Sequence, residues 1–183
     1  MAVKSETLGL AGVQNLGKPS YQRVHCLSNP CTLKVNEVVI GVTSTDALFH
    51  ISAEETNANL APGSRLKRIS EHLLQQRSYY PVFPPPQSSP TNVDLKQRPK
   101  YQMPCRPDLL LLPSRLKTFA SNILDSTIVV NPGHLTRGTT GGTYGVMQIH
   151  PMKEEVLESA EGGAEAQLPH GLHNRIQVQV KRI

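Results

Sequence analysis

Three sets of residues in this chain have the types that chemistry needs. The first is His25, Cys26 and Cys31, with Cys105 far along the sequence. Zinc takes four ligands, usually from closely spaced Cys or His pairs. These residues lack the spacing of a finger or ribbon knuckle, and Cys105 has no partner beside it. They read as small thiols in or beside strands, and no metal or other cofactor is expected. The second set is the loop Thr136-Arg137-Gly138-Thr139-Thr140-Gly141-Gly142-Thr143. Its glycines and arginine suit a phosphate. It has no Gly-Lys-Ser/Thr, however, and a strand follows it, so no helix dipole would serve the anion. A flexible bend between strands is expected there. The third set is the general stock of Ser, His and Asp. There is no Gly-x-Ser-x-Gly elbow, and no two of the seven histidines stand at i, i+4. Nucleophilic catalysis has no support.

The bulk properties bound what can hold such residues. At 183 residues the chain can bury one real core. Aromatics are 4%, Trp is absent, and 15 Pro with 13 Gly imply many turns. One α/β unit with flexible insertions and ends is expected. The formal net charge of +5 is spread thinly, with no run of five Lys/Arg, so charge alone does not mark a nucleic-acid reader. Three cysteines and an N-terminus without an uninterrupted apolar stretch read as reduced thiols in an intracellular protein. No apolar run approaches the roughly 20 residues of a membrane span, so no membrane partner is expected.

The positioning elements centre on Asp108–His150. Three short apolar or β-branched runs bounded by Pro and Gly read as strands: Leu109–Leu112, Thr127–Val130 and Tyr144–Ile149. Ahead of them, Cys31–Val35 and Val38–Thr43 flank Asn36-Glu37 as a hairpin. Val24, Cys26 and Leu27 suggest an edge strand. Asp46 before Ala47-Leu48-Phe49 is an N-cap signal for a short helix, and residues 53–63 read as a loop. Ser64–Gln76 places Leu66, Ile69, Leu73 and Leu74 on one helix face. Pro84-Pro85-Pro86 excludes a central strand at Tyr79–Phe83. Residues 1–21 read as a loosely ordered segment, and 87–107 and 151–173 as flexible insertions. Ser89-Pro90, inside the first insertion, has the form of a proline-directed phosphorylation site. Ile176–Lys181 alternates with period two and is expected to pair antiparallel with Tyr144–His150.

Longer blocks carry a resemblance. They are Asn29–Glu55, Arg68–Pro85, Arg106–Ala120, Val129–Gly145 and Val178–Ile183. Together and in this order they resemble the C-terminal part of the B-subunit family of DNA polymerase alpha. The order strand, loop, strand, Asn-Pro-Gly also resembles the end of a calcineurin-like metallophosphoesterase domain. The resemblance implies an α/β fold: the C-terminal half of a phosphoesterase sandwich over residues 22–183, a mixed sheet with flanking helices and long loops. It implies that Asn131, Pro132, Gly133, Leu135, Gly138, Gly141, Gly142 and Thr143 are structural signature residues. In active phosphoesterases the strand corresponding to Leu109–Leu112 ends in metal-binding histidines. Here it ends in Pro113, Ser114, Arg115 and Leu116, none a normal ligand for a dinuclear hydrolytic centre.

What the resemblance implies for function is a non-catalytic accessory subunit, or scaffold, acting in replication initiation in the nucleus. Its partners would be the C-terminal domain of the polymerase alpha catalytic subunit and, through the complex, primase, with DNA contact indirect. The OB-fold and the first half of the phosphoesterase-like domain have no counterpart here. The chain therefore reads as a fragment or truncated form, with an unpaired sheet edge and an uncovered apolar face. Two other readings remain on the residues alone. One is a divalent-metal phosphodiesterase or nuclease; the other is a free-standing basic nucleic-acid binder.

Overall fold

A computed structural model describes residues 25–58, 63–86, 93–153 and 171–183. The first turn explains the first hairpin. Asn36 adopts φ 53°, a conformation Asn tolerates, and Glu37 completes a two-residue joint between β1 (Cys31–Val35) and β2 (Val38–Val42). Val35 pairs with Val38 and Cys31 with Val42.

Beyond β2 the sheet becomes parallel. β3 (Leu109–Leu111) runs parallel to β2, and β5 (Thr127–Asn131) runs parallel to β3. Parallel strands are covered on both faces, which is why these two segments are near-continuous apolar runs. β4 (Phe119–Ile123) returns antiparallel along β5, giving a five-stranded mixed sheet in the order β1-β2-β3-β5-β4. The mixed α/β class is as expected. β4 was not: its sequence FASNI carries a weak period, because an edge strand is buried only in part.

Each face of the sheet has its own cover. On one, Leu110, Leu112, Val129 and Ile123 pack with Leu48 and Ile51 of α1 (Ala47–Glu54) and Ile69, Leu73 and Leu74 of α2 (Arg65–Gln75). α1 runs into the stretch read as loop. α2 matches its periodicity, although Ser64 makes no side-chain cap bond. On the other face, Leu109, Ile128 and Val130 meet Met147, Ile176, Val178 and Leu172. Met147, Ile176 and Val178 belong to a separate two-stranded sheet, β8 (Thr143–Ile149) with β9 (Ile176–Arg182). The expected antiparallel pairing is present, from Thr143 opposite Arg182 to Ile149 opposite Ile176. The third apolar run therefore lies across the main sheet and is not one of its strands.

Several segments read as loose are packed. Residues 95–101 form a 3-10 helix with Asp94 accepting from the Lys96 amide, and Met103 beyond it is buried. Tyr79 N donates to Tyr101 O at 2.8 Å and Met103 N to Arg77 O at 2.8 Å, so this stretch zips onto the chain after α2. Leu172, in a second 3-10 turn at Leu172–Asn174, is buried under the main sheet. Polar composition hid both, since one or two anchors suffice to dock a mostly exposed segment. The Thr136–Gly141 stretch forms the small hairpin β6 (Thr136–Arg137) and β7 (Thr140–Gly141). Cys26 and Leu27 are not in a strand and Leu27 is exposed, while Asn29 instead clasps Ser44 through its side-chain amide. The segment 1–21, Val24, Ser89 and residues 154–170 lie outside the described residues.

Candidate functional site: the carboxyl edge of the sheet

In open α/β sheets, ligands bind beyond the carboxyl ends of the parallel strands. Here that edge is formed by three loops, Thr43–Asp46 after β2, Leu112–Lys117 after β3 and Pro132–Leu135 after β5. Each begins where a buried strand runs out, so each must satisfy its own backbone groups.

Asn131, the last residue of β5, is fully buried and makes four hydrogen bonds. Its Oδ1 accepts from Ser114 N and Gly133 N, both at 2.9 Å. Its Nδ2 donates to Leu116 O at 3.3 Å and Lys117 O at 3.2 Å. A primary amide is suited to this task, since it offers acceptor and donors on one planar group. Asn131 thereby holds the Pro113–Leu116 loop, where a related hydrolase would place its ligands, against β5.

The loop's own side chains are likewise engaged. Ser114 is buried, and its hydroxyl accepts from Leu116 N at 3.1 Å. Leu116 packs against the helix-side core. Arg115 is exposed at 58%; its amide donates to Asp46 Oδ2 at 2.9 Å, and its Nε lies 3.5 Å from the same oxygen. Its guanidinium sits 4.4 Å from the Phe49 ring centroid. The other oxygen of Asp46 caps α1 by accepting from Phe49 N at 3.1 Å. Behind it, buried His50 bonds Tyr80 Oη through Nδ1 at 3.0 Å. Burial holds His50 below the usual imidazole range, Asp46 opposes that shift, and Arg115 adds to it.

The signature glycines make close approaches possible. Gly133 has φ 77°, and a Cβ there would run into Thr143 Oγ1 and stand 3.0 Å from Thr118 Cγ2. Thr143 Oγ1 donates to Pro132 O at 2.7 Å, tying β8 to the end of β5. Gly142 is buried, and a Cβ on it would collide with the carbonyl of His134. Leu135 and Gly138, by contrast, are exposed.

The residues weighed for zinc are not brought together. Cys105 is exposed, and burial pushes the Cys31 thiol up. Among the described residues, no three His, Cys, Asp or Glu side chains form a group that could hold a metal ion. Sequence reasoning missed Asp46 and Phe49 as partners of Arg115. Only the cap signal at Asp46 pointed there; a partner 69 residues away leaves no local trace.

Fold and edge together define a mixed α/β protein whose carboxyl-edge loops are bonded to one another. Comparison with known proteins narrows this. Residues 12–121 match the model of the family described as the B subunit of DNA polymerase alpha/epsilon. The chain is 42% identical over 135 residues to the DNA polymerase alpha B subunit of Mus musculus, covering 73% of this chain and 22% of that protein. It is 32% identical over 172 residues to the Schizosaccharomyces pombe protein of that name, covering 92% of this chain and 29% of the other. With the Saccharomyces cerevisiae protein the identity is 27% over 182 residues, covering 81% of this chain and 25% of the other. The chain belongs to the B-subunit family of DNA polymerases alpha and epsilon. It spans between 22% and 29% of the length of these three relatives.

Proposed function

We propose that the chain is the C-terminal part, over residues 22–183, of a non-catalytic accessory subunit of DNA polymerase alpha–primase. In this reading it is a scaffold in the initiation of replication, in the nucleus. Family membership supports the subunit role. The observation that carries the non-catalytic part is the Asn131–Ser114 bond, with Arg115 on Asp46. Of the polar side chains in Pro113–Leu116, that of Ser114 bonds the loop's own backbone and that of Arg115 faces Asp46 of the neighbouring loop.

The fold expected of a calcineurin-like sandwich fits the layering of helices, mixed sheet and hairpin. The outer face of β8 and β9 then belongs to a second sheet that the rest of a longer relative would extend. The partner in this reading is the C-terminal domain of the catalytic subunit, with primase joined through the complex. Asn131, Pro132, Gly133, Gly142 and Thr143 are shape residues that join the two sheets. Two arms test this. Co-expression with that C-terminal domain gives a complex that co-purifies, and purified chain shows no manganese-dependent hydrolysis of a phosphodiester. Hydrolysis abolished by chelator and restored by manganese would favour the phosphodiesterase reading instead.

A further inference from the structure

A basophilic protein kinase selects a threonine by an arginine three residues before it, which enters an acidic pocket of the kinase. Arg-x-x-Thr occurs twice in the chain, at Arg115–Thr118 and at Arg137–Thr140, and Arg-x-x-Ser does not occur. The fold separates the two. Arg115 is engaged by Asp46 and the Phe49 ring. Thr118 is half-buried, with its Cγ2 only 3.0 Å from where a Cβ on Gly133 would stand.

Arg137 and Thr140 are presented differently. Every residue from His134 to Gly141 is exposed. The β6–β7 ladder consists of two pairs, Thr136 with Gly141 and Arg137 with Thr140. Its base is tied by Gly142 N donating to Leu135 O at 2.9 Å. At the tip, a Cβ on Gly138 would meet nothing within 4 Å, so no packing anchors it. A short, exposed ladder of this kind opens readily into the extended form that an enzyme groove takes.

Two further features agree. Leu135, five residues before Thr140, is 64% exposed although apolar. It is available to an apolar pocket beside the acidic one. The chain has no Asp or Glu between Asp125 and Glu154, so no carboxylate flanks the acceptor in sequence. The Ile183 carboxylate lies against Gly141, on the hairpin face opposite to Thr140.

We propose that Thr140 is a phosphorylation site for a basophilic kinase that reads Leu135, Arg137 and Thr140 together. Thr140 Oγ1 attacks the γ-phosphorus of magnesium-bound ATP. The new O–P bond forms as the bond from that phosphorus to its bridging oxygen breaks. The hydroxyl proton passes to the kinase's catalytic aspartate, and ADP leaves. The hydroxyl that now donates to Arg137 O at 2.8 Å is thereby replaced by a phosphate. Arg137 stands directly opposite Thr140 on the same hairpin face, so its guanidinium can take the phosphate once the hairpin closes. The inference is independent of the scaffold role.

The test incubates the full chain with calcium/calmodulin-dependent protein kinase, its activators and magnesium ATP, and maps phosphate by tandem mass spectrometry. One phosphate on Thr140 is expected, and Thr140→Ala should abolish it. Arg137→Gln should slow incorporation by about tenfold or more, because the acidic pocket loses its partner. Leu135→Ala should slow it roughly tenfold, as an apolar anchor is lost. Arg115→Gln, which removes the other Arg-x-x-Thr, should leave the rate unchanged. These side chains are exposed, and thermal melting confirms that each variant is folded. Absence of incorporation overturns the proposal, as does phosphate on Thr118 or Thr139 in place of Thr140. A wild-type rate in Arg137→Gln would also overturn it. So would phosphorylation of a synthetic peptide of residues 131–145 while the folded chain stays unmodified, since the hairpin would then bar the kinase.

Discussion

Asp46 and Arg115 connect two loops that are 69 residues apart in sequence, and one carboxylate serves both. Oδ1 caps α1 at Phe49 N, while Oδ2 takes the Arg115 amide and faces its guanidinium. The helix start and the loop after β3 are thus fixed to each other. Replacing Asp46 by Ala removes the cap and orphans the Arg115 amide, so unfolding stability should fall by about 1–2 kcal/mol. Arg115→Ala should cost less than about 1 kcal/mol, because its side chain is more than half exposed. Urea denaturation of the two variants checks the ranking, and a larger loss in Arg115→Ala would contradict it.

Asn131→Asp tests the buried amide with almost no change of shape. The carboxylate would direct an oxygen at the carbonyls of Leu116 and Lys117, where Nδ2 now donates. The expected cost is about 3 kcal/mol or more, since a charge is buried without a counter-charge and one of its oxygens faces two carbonyls. It should shrink as the pH drops and the new acid is protonated. A variant with wild-type stability at neutral pH would remove Asn131 from the role assigned to it.

Gly133 and Gly138 both have positive φ, at 77° and 61°, but differ in space. A Cβ on Gly138 meets nothing within 4 Å, so Gly138→Ala should cost only about 1 kcal/mol of backbone strain. Gly133→Ala adds the collision with Thr143 and should cost several-fold more. Comparable melting temperatures for the two would show that the junction of the sheets yields easily to an added methyl.

The pH dependence has two separable causes. Burial lowers the folded-state pKa of His50 from its ordinary 6.5, so the unfolded chain binds the proton more readily. Its contribution is present above about 6.5 and is lost as the pH falls below that value. The Arg65 hydrogen bond, with help from Arg68, lowers the Glu55 carboxyl from 4.5, so its contribution is lost only below that pH. His50→Gln should flatten the first limb of a stability–pH curve and leave the second. Denaturation midpoints from pH 8 down to well below 4.5, with and without the substitution, read both limbs.

What the sequence made legible follows from where physics is local. The β1–β2 joint is set by Asn36, the α2 face by the spacing of Ile69 and Leu73, and the β9 alternation by a single buried face. Each signal lies within a few residues. β4 and the docked Leu95–Tyr101 turn were hidden because partial burial leaves little pattern. At the carboxyl edge, the importance of Pro113–Leu116 and Asn131–Gly133 was visible as punctuation and as a resemblance. Their closure was not, because Asn131, Ser114, Asp46 and Arg115 meet only after the sheet forms.

The proposed scaffold role is tested most directly by association. Sedimentation of the chain with the C-terminal domain of the polymerase alpha catalytic subunit should show a complex heavier than either component. The Asn131→Asp variant, which disturbs the fold that presents the surface, should form less of it. Two components sedimenting independently, with the chain folded by circular dichroism, would rule out that role.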